Sequence, residues 1–333
     1  MKKVLCFAAA AAMLFAACQK TEIVNDHEGS QEISFVTVNK TVTKTPISGT
    51  TFSDGDNMSI AAYLVKGGTA GDFFKETLFT KNGDNWTGGR YWPLSTATIS
   101  FLAVTETGGG VDKTETEFSS PMASSATVTL DGNNALNQND LMYAAAQATH
   151  TQGTAYSPVD LKFQHALAWI KFKVSTNVTG TNGSVTIHSI TLDNAYTDGK
   201  LTVGYSNYNS EGTPTLTANW DLSDNTISEK VDLTIPNSSG VATGDVVITS
   251  LSTEYGNGVL VIPSGSAESF TIDYTITQGD GTATRYSYTH DFTTPPSWEM
   301  AKKYTYNVSI NFSEITINPS IATDWADGGT TNI

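Results

Sequence analysis

The sequence predicts an all-β protein with two antiparallel sandwiches in series, and three observations support this. Segments with alternating apolar and polar residues recur along the chain, the clearest from Tyr304 to Phe312. Long helical patterns are absent, whereas threonine, serine, glycine, asparagine and aromatic residues are abundant, which is typical of extracellular β proteins. A length of 333 residues suffices for two ordinary domains. We therefore predict sandwiches over residues 32–152 and 153–333.

The N-terminus has the layout of a lipoprotein signal peptide. Met1-Lys2-Lys3 is positively charged, residues 4–17 form an uncharged apolar run, and Cys18 follows directly. As a helix this run would span about 21 Å, which is too short for a bilayer core of ~30 Å. We expect residues 1–17 to be removed and Cys18 to carry the lipid that holds the protein in the outer membrane. The alternative is an ordinary signal peptide cut near Ala17, with Cys18 unmodified.

Charge and cysteine content exclude several classes of partner and linkage. The net charge of −15, from 33 acidic and 18 basic residues, argues against a nucleic-acid partner. Because Cys6 lies in the signal peptide and Cys18 is the lipidation site, we expect no intramolecular disulfide. Residues 18–31 are polar and acidic without periodicity, which predicts a flexible tether. No later apolar run approaches ~18 residues, so we expect no membrane-spanning helix.

In the first half, Ile33 to Val38 is the first predicted strand. The turn at residues 53–57 precedes a second strand from Met58 to Val65, and Thr98 to Val104 is rich in β-branched and apolar residues. Residues 108–126 contain three consecutive glycines followed by many serines and threonines. This composition predicts a long loop or an edge.

In the second half, the apolar positions change phase between Val159 and Val174. They are odd-numbered up to Phe163 and even-numbered from Ala168. A strict period of two cannot change phase without an irregularity, so we predict a β-bulge or bend near residues 165–167.

Two further patterns predict strands near the C-terminus. Alternating residues on either side of Gly279-Asp280-Gly281 predict a hairpin that pairs residues 270–276 with residues 286–292. Ile315 and Ile317 predict one more short strand, which ends before Pro319.

No pattern of catalytic residues is found in the sequence. The five histidines are scattered without metal-site spacing, and neither an HExxH nor a GxSxG motif occurs. We therefore expect no enzymatic activity, no metal and no cofactor. Asp54 and Asp56 offer oxygen atoms for Ca²⁺ but lack the distal glutamate of an EF-hand loop, so a plain Asp-Gly turn is the preferred interpretation.

Aromatic residues suggest an alternative function in glycan binding. If exposed, their rings would stack on sugar rings, whereas packing in a core explains them equally well. The candidates are Trp86, Trp92, Tyr205 and Tyr208.

Seven motifs follow one another along the chain: Cys18, residues 52–60 around Gly55-Asp56, Tyr91-Trp92-Pro93, residues 161–167, Lys171-Phe172-Lys173-Val174, residues 259–263, and Trp298 followed by residues 302–306. In this order they resemble the motifs of the fimbrillin-like surface lipoproteins of Bacteroides-type bacteria, the subunits of type V pili.

The resemblance implies two transthyretin-like β-sandwich domains in a structural subunit (stalk, tip or anchor) of a surface pilus that mediates adhesion. In that family a protease removes the lipidated N-terminal segment with the first strand, which opens a groove that a strand of the next subunit fills. The strand removed here contains Ile33, Phe35, Val36 and Val38, and the donated strand contains Ile315, Ile317, Ile321 and Trp325.

The chain departs from the family pattern at two places. Stalk subunits are typically cut after an arginine, but the first arginine here is Arg90, so Lys40 and Lys44 are the candidate cleavage sites. The alternative is a subunit that keeps its lipid and serves as an anchor. Ala301 replaces the usual glycine and is expected to alter a turn. A glycan-binding surface lipoprotein that does not polymerise is the alternative to the pilus subunit.

Overall fold

The computed structural model confirms the all-β class. It describes residues 31–37, 52–66, 69–106, 111–119, 123–130, 140–196, 198–206, 215–223, 230–237, 239–241, 244–249, 251–263, 267–292, 298–312, 314–319 and 323–324. Within these ranges, no helix has the length and hydrophobicity needed to cross a bilayer. A short 3-10 turn lies at Gly180–Asn182.

The strands are β1 (Glu32–Thr37), β2 (Asn57–Lys66), β3 (Thr69–Asn82), β4 (Asn85–Tyr91), β5 (Ala97–Glu106), β6 (Val111–Ser119), β7 (Ala123–Leu130), β8 (Met142–His150), β9 (Val159–Leu161), β10 (Gln164–His165), β11 (Ala168–Thr176), β12 (Gly183–Tyr196), β13 (Asp198–Ser206), β14 (Thr215–Asp221), β15 (Lys230–Thr234), β16 (Val246–Ile248), β17 (Thr253–Glu254), β18 (Val259–Val261), β19 (Ser269–Gln278), β20 (Ala283–Asp291), β21 (Lys302–Ile310), β22 (Ile315–Pro319) and β23 (Thr323–Asp324).

Eight strands form the N-terminal sheet, in the order β10-β8-β5-β2-β3-β4-β1-β9. β9 and β10 are neighbours in the chain, yet they lie at opposite ends of this order. The sheet therefore rolls up until its two edges meet at residues 159–165, and it encloses an apolar core. The core includes Ile33, Phe35, Met58, Ile60, Phe79, Trp86 and Phe101.

The C-terminal half has two sheets that share one apolar core. One has the order β17-β11-β21-β22, with β18 also paired to β11 and β23 to β21, and the other has the order β15-β12-β19-β20, with β16 paired to β12. β11 and β21 run parallel from the pair Trp169↔Lys303 to the pair Thr176↔Ile310. Phe172 packs edge-on against a phenylalanine of β19 in this core, with ring centroids 4.9 Å apart.

A third apolar cluster joins the two halves. Leu102 and Val104 of β5 meet Leu201 and Val203 of β13 and Leu260 of β18, and none of these five side chains is more than 1% exposed. A separate sheet, β14-β13-β7-β6, also links the halves because β7 pairs with β13. The domain limits at residues 152 and 153 and the tandem transthyretin-like arrangement stay predictions. The pairing places β9 and β10 with the N-terminal strands.

The bend predicted near residues 165–167 is confirmed. The chain leaves β10, bends at Ala166 and Leu167, and enters β11 in the C-terminal half. Both bend residues are fully buried in the third cluster. The apolar positions change phase because the chain passes from one sheet to another.

The hairpin predicted near the C-terminus is also confirmed, as β19 and β20. Of the two alternatives given for residues 108–126, a long loop or an edge, the described part of the segment fits the edge. It contains β6 and the start of β7, which pair with each other, and β6 is an edge strand of its sheet.

Ala301 adopts a backbone conformation that glycine favours. Its φ angle is +59°, in the left-handed region, where a side chain costs about 1–2 kcal/mol. Its N–H donates a hydrogen bond of 3.0 Å to the carbonyl oxygen of Leu167, which fixes the turn into β21. The turn is therefore formed with alanine in place, but under backbone strain.

Replacing this alanine should stabilise the protein. We expect Ala301→Gly to raise the free energy of unfolding by up to about 1 kcal/mol, because relief of strain exceeds the entropic cost of glycine. The control is Ala283→Gly in the exposed strand β20, which should lower it by about 0.5–1 kcal/mol. Urea unfolding measures both, and a loss of stability in both variants would contradict the strain at Ala301.

Candidate functional site

The first strand, β1, lies inside the N-terminal sheet and not at its edge. On one side it pairs antiparallel with β4, where Phe35 is opposite Trp86. On the other side it pairs parallel with β9, where Phe35 is opposite Val159. The Glu32 carboxylate also accepts a 2.8 Å hydrogen bond from the N–H of Gly89. Removing β1 would leave a slot one strand wide, bordered on both sides by backbone groups without partners.

Two large side chains of β1 point into the core. Ile33 and Phe35 are fully buried, whereas Val36 is half-buried. The ring of Phe35 meets Phe79 and Phe101 edge-on, with centroids 5.1 Å and 5.0 Å away. Burial of one such side chain contributes about 1.5–3 kcal/mol. Any other strand with apolar residues at these two positions would therefore gain a similar burial free energy in the slot.

A buried histidine–aspartate pair stabilises the segment that contains β9, which borders one side of the slot. β9 continues into β10, where His165 Nδ1 and Asp140 Oδ2 are hydrogen-bonded. Burial raises the pKa of the Asp140 carboxyl, and the nearby His165 opposes this shift. The N–H of Ala166 donates a 2.8 Å hydrogen bond to the carbonyl oxygen of Leu141 beside the pair. His165 thus fastens the β9–β10 segment to β8.

An aromatic cluster, formed by Trp92, His150 and Tyr156, anchors the chain where it enters β1. The N–H of Trp92 donates to the carbonyl oxygen of Gln31 at 3.0 Å, and the N–H of Tyr156 donates to the Gln31 side-chain oxygen at 3.4 Å. Ring centroids are 5.5 Å apart for Trp92 and Tyr156, and 4.4 Å apart for His150 and Tyr156. His150 is 3% exposed, and its burial lowers its pKa.

β22, the predicted donor strand, lies at the edge of a C-terminal sheet. As far as the described residues go, it pairs only with β21, with Ile315 opposite Ile310 and Ile317 opposite Val308. Ile315 and Ile317 are half-buried against the core, and Thr316 between them is exposed. β22 therefore presents two apolar side chains at alternate positions, as β1 does.

Several residues predicted from the sequence lie outside the described residues. Their roles in lipidation, cleavage, strand removal, strand donation and sugar stacking stay predictions. They are Cys18, Val38, Lys40, Lys44, Tyr208, Ile321 and Trp325.

Three of the aromatic residues considered for sugar stacking are buried. Trp86 is 0% exposed, and Trp92 and Tyr205 are each 4% exposed. The idea of an exposed stacking platform at these three positions is therefore wrong. Their rings pack in the apolar clusters, as the core interpretation predicts.

The carboxylates of Asp54 and Asp56 accept hydrogen bonds from backbone N–H groups, those of Gly83 at 2.9 Å and Ser53 at 2.7 Å. Gly55 between them has a φ of +89°, as a tight turn requires. These contacts are those of an Asp-Gly turn. In the part of the chain that the structure describes, no group of three or more histidine, cysteine, aspartate or glutamate residues is placed to hold a metal ion.

Comparison with known proteins identifies the family. A model of the fimbrillin-like family matches residues 43–325. The chain belongs to the fimbrillin-like family. This confirms the resemblance seen in the sequence motifs. A search of curated proteins finds no match to this fimbrillin-like chain.

Solved structures show a fold similar to that of this fimbrillin-like protein. This chain is 18% identical in sequence to a fimbrial protein from Bacteroides vulgatus. The alignment covers 80% of this chain and 92% of that chain, with a TM-score of 0.57. This chain is 9% identical to the tip fimbrial protein Mfa3 from Porphyromonas gingivalis, with 89% and 100% covered and a TM-score of 0.40. The first similarity shows a common fold, and the second is too low to support an argument.

Truncating the central side chain of β1 should destabilise the fimbrillin-like protein. We expect Phe35→Ala to lower the free energy of unfolding by about 3–5 kcal/mol, because it leaves a cavity among Phe79 and Phe101. The control is Phe312→Ala, whose side chain is 53% exposed, and it should change stability by no more than about 0.5 kcal/mol. Equal losses in urea unfolding would contradict the packing of β1.

Mild acid should destabilise the aromatic cluster. Because burial lowers the pKa of His150, the unfolded chain takes up this proton at a higher pH than the folded chain does, so stability is lost as the pH falls below about 6.5. Between about pH 7.5 and about pH 5.5, the loss of unfolding free energy should be smaller in His150→Gln than in the unmodified protein. An unchanged loss in His150→Gln would contradict this assignment.

Proposed function

We propose that this fimbrillin-like protein is a structural subunit of a surface pilus that mediates adhesion, and that neighbouring subunits join by strand exchange. Membership of the fimbrillin-like family supports the structural, non-enzymatic pilus role. The observation that carries the strand-exchange part is the pairing of β1 on both of its sides. A strand from another subunit that entered the same slot would recover both ladders.

The candidate cleavage sites follow β1 closely. A cut after Lys40 or Lys44 would separate β1, together with the lipid on Cys18, from the rest of the chain. β1 would then be held only by non-covalent contacts and could be displaced. A subunit that is not cut would keep its lipid and serve as an anchor in the outer membrane. The cleaved subunit and the uncut, lipid-bearing subunit would both lie on the cell surface.

β22 fits the role of the donated strand. Ile315 and Ile317 have the same spacing as Ile33 and Phe35, so they would occupy the two apolar positions of the slot. In its present place β22 forms one ladder, with β21, whereas a strand in the slot forms two. Transfer to a neighbouring subunit therefore increases backbone pairing. The proposed donor segment continues through Ile321 and Trp325.

The alternative of a glycan-binding lipoprotein that does not polymerise has less support. It depended on exposed rings at Trp86 and Trp92, and both side chains are buried. The arrangement of β1 and β22 favours assembly instead.

Cleavage of the folded protein on the C-terminal side of β1 should start polymerisation. We expect limited digestion with a lysine-specific protease to give a ladder of oligomers on SDS gels of unboiled samples, while the uncut chain stays monomeric because its slot is filled. The control is the double variant Lys40→Arg, Lys44→Arg, which should stay monomeric under the same digestion.

A pair of substitutions in β22 tests the donor. Ile317→Asp should abolish the ladder because it would place a charge in the apolar slot. Thr316→Asp, on the opposite face of the same strand, should leave the ladder intact. Fully cleaved protein that stays monomeric, or a ladder that survives Ile317→Asp, would overturn strand exchange through β22.

The N-terminus of the protein in cells distinguishes the roles within the pilus. Mass spectrometry of protein taken from the cell surface should find either an acylated Cys18, which indicates an anchor, or a chain that starts after Lys40 or Lys44, which indicates a stalk subunit. A start near residue 18 without acylation would contradict the lipoprotein assignment.

A further inference from the structure

A cavity of about 390 Å³ opens beside the aromatic cluster, between the end of β8 and the start of β9. Its volume is in the range of small-molecule sites, which is about 300–1,000 Å³. It lies where the rolled sheet is not closed by hydrogen bonds. β10 pairs with β8 only at Met142 and Tyr143, and β9 pairs with β1, so no ladder between described residues joins the rest of β8 to β9.

Tyr156 lines this cavity and is half-buried. The centroid of Trp92 is 6.0 Å from that of His150, and those of Trp92 and His150 are 5.5 Å and 4.4 Å from that of Tyr156. Taken as the sides of a triangle, these three distances place Trp92 and His150 less than 90° apart as seen from the centre of the Tyr156 ring. Because both rings are stacked on Tyr156, they must lie against the same face of it. The opposite face of this half-buried ring is covered by neither.

Two polar groups beside this ring have no partner among the described residues. The Asp160 carboxylate and the Ser157 hydroxyl both line the cavity and are exposed. In the cavity wall, Nδ1 of His150 is buried and makes no hydrogen bond within the described part of the chain. Nε2 of the same ring is bonded to the Tyr156 hydroxyl at 3.0 Å, which holds the tyrosine ring in place.

We propose that this cavity binds a neutral sugar ring, which stacks on the free face of Tyr156 and donates hydroxyl hydrogen bonds to Asp160. A sugar presents both an apolar ring face and adjacent hydroxyl groups, and the cavity offers one partner for each. Ser157 can donate to or accept from a further hydroxyl. The observations behind this proposal differ from those behind strand exchange, and the proposal gives the pilus subunit a receptor site of its own.

The charges in the cavity select against other ligands. An acidic sugar would meet the Asp160 carboxylate in a protein with a net charge of −15. An organic cation would be attracted to Asp160, but sites that select cations surround them with several aromatic faces. Trp92 and His150 also line the cavity but are only 4% and 3% exposed, so a cation would find one accessible ring, that of Tyr156.

Binding of the intact, uncut chain in detergent to immobilised sugars tests the proposal. The neutral probes are galactose, glucose, mannose, fucose and N-acetylglucosamine. The comparison probes are sialic acid, a sulfated sugar and an alkylamine. We expect a neutral sugar to bind with a dissociation constant of about 1 mM or lower, and the comparison probes to bind more weakly.

Four variants locate the binding site. Tyr156→Ala and Asp160→Asn should each weaken binding at least about tenfold. Tyr156→Phe keeps the ring face and should retain binding, and Tyr286→Ala, an exposed tyrosine on β20, should have no effect. Absence of binding to every neutral sugar, preference for the acidic sugars or the amine, or unchanged binding in Asp160→Asn would overturn the proposal. Because uncut chain is used, these results do not depend on whether the protein polymerises.

Discussion

The double pairing of β1 is the constraint on which the N-terminal half depends. An edge strand can be lost at the cost of one ladder, but β1 has a partner on each side and two side chains in the core. Its loss would expose backbone groups of both β4 and β9 together with an apolar slot. The N-terminal half therefore needs a strand at this position, although that strand need not come from its own chain.

Alternation of apolar and polar residues predicted the all-β class, the first strand and the β19–β20 hairpin, because a period of two is a property of each strand by itself. The partners of β1 were not predictable, because β9 is far away in the chain and carries no local mark of the pairing. The burial of Trp86 and Trp92 could not be predicted either, because a single sequence does not show which aromatic rings pack in a core. Tyr156 was missed because its site forms where three segments converge.

Gln31 connects the aromatic cluster with strand β1, although no sequence motif links the two. Its backbone oxygen and its side-chain oxygen accept hydrogen bonds from Trp92 and Tyr156, and the next residue begins β1. The aromatic cluster beside the cavity is therefore bonded to the segment that the proposed cleavage would remove. Under the proposed strand exchange, a change in the occupant of the slot would alter the support of Tyr156 and with it the shape of the cavity.

The parallel pairing of β11 and β21 has a mechanical consequence. β21 leads directly into β22, so a fibre held together by exchanged β22 strands would transmit tension through β21. The ladder that holds β21 runs along the direction of such a pull, from Trp169↔Lys303 to Thr176↔Ile310. Its hydrogen bonds would have to break together in shear and not one after another as in a zipper. This geometry suits a filament that bears load along its axis.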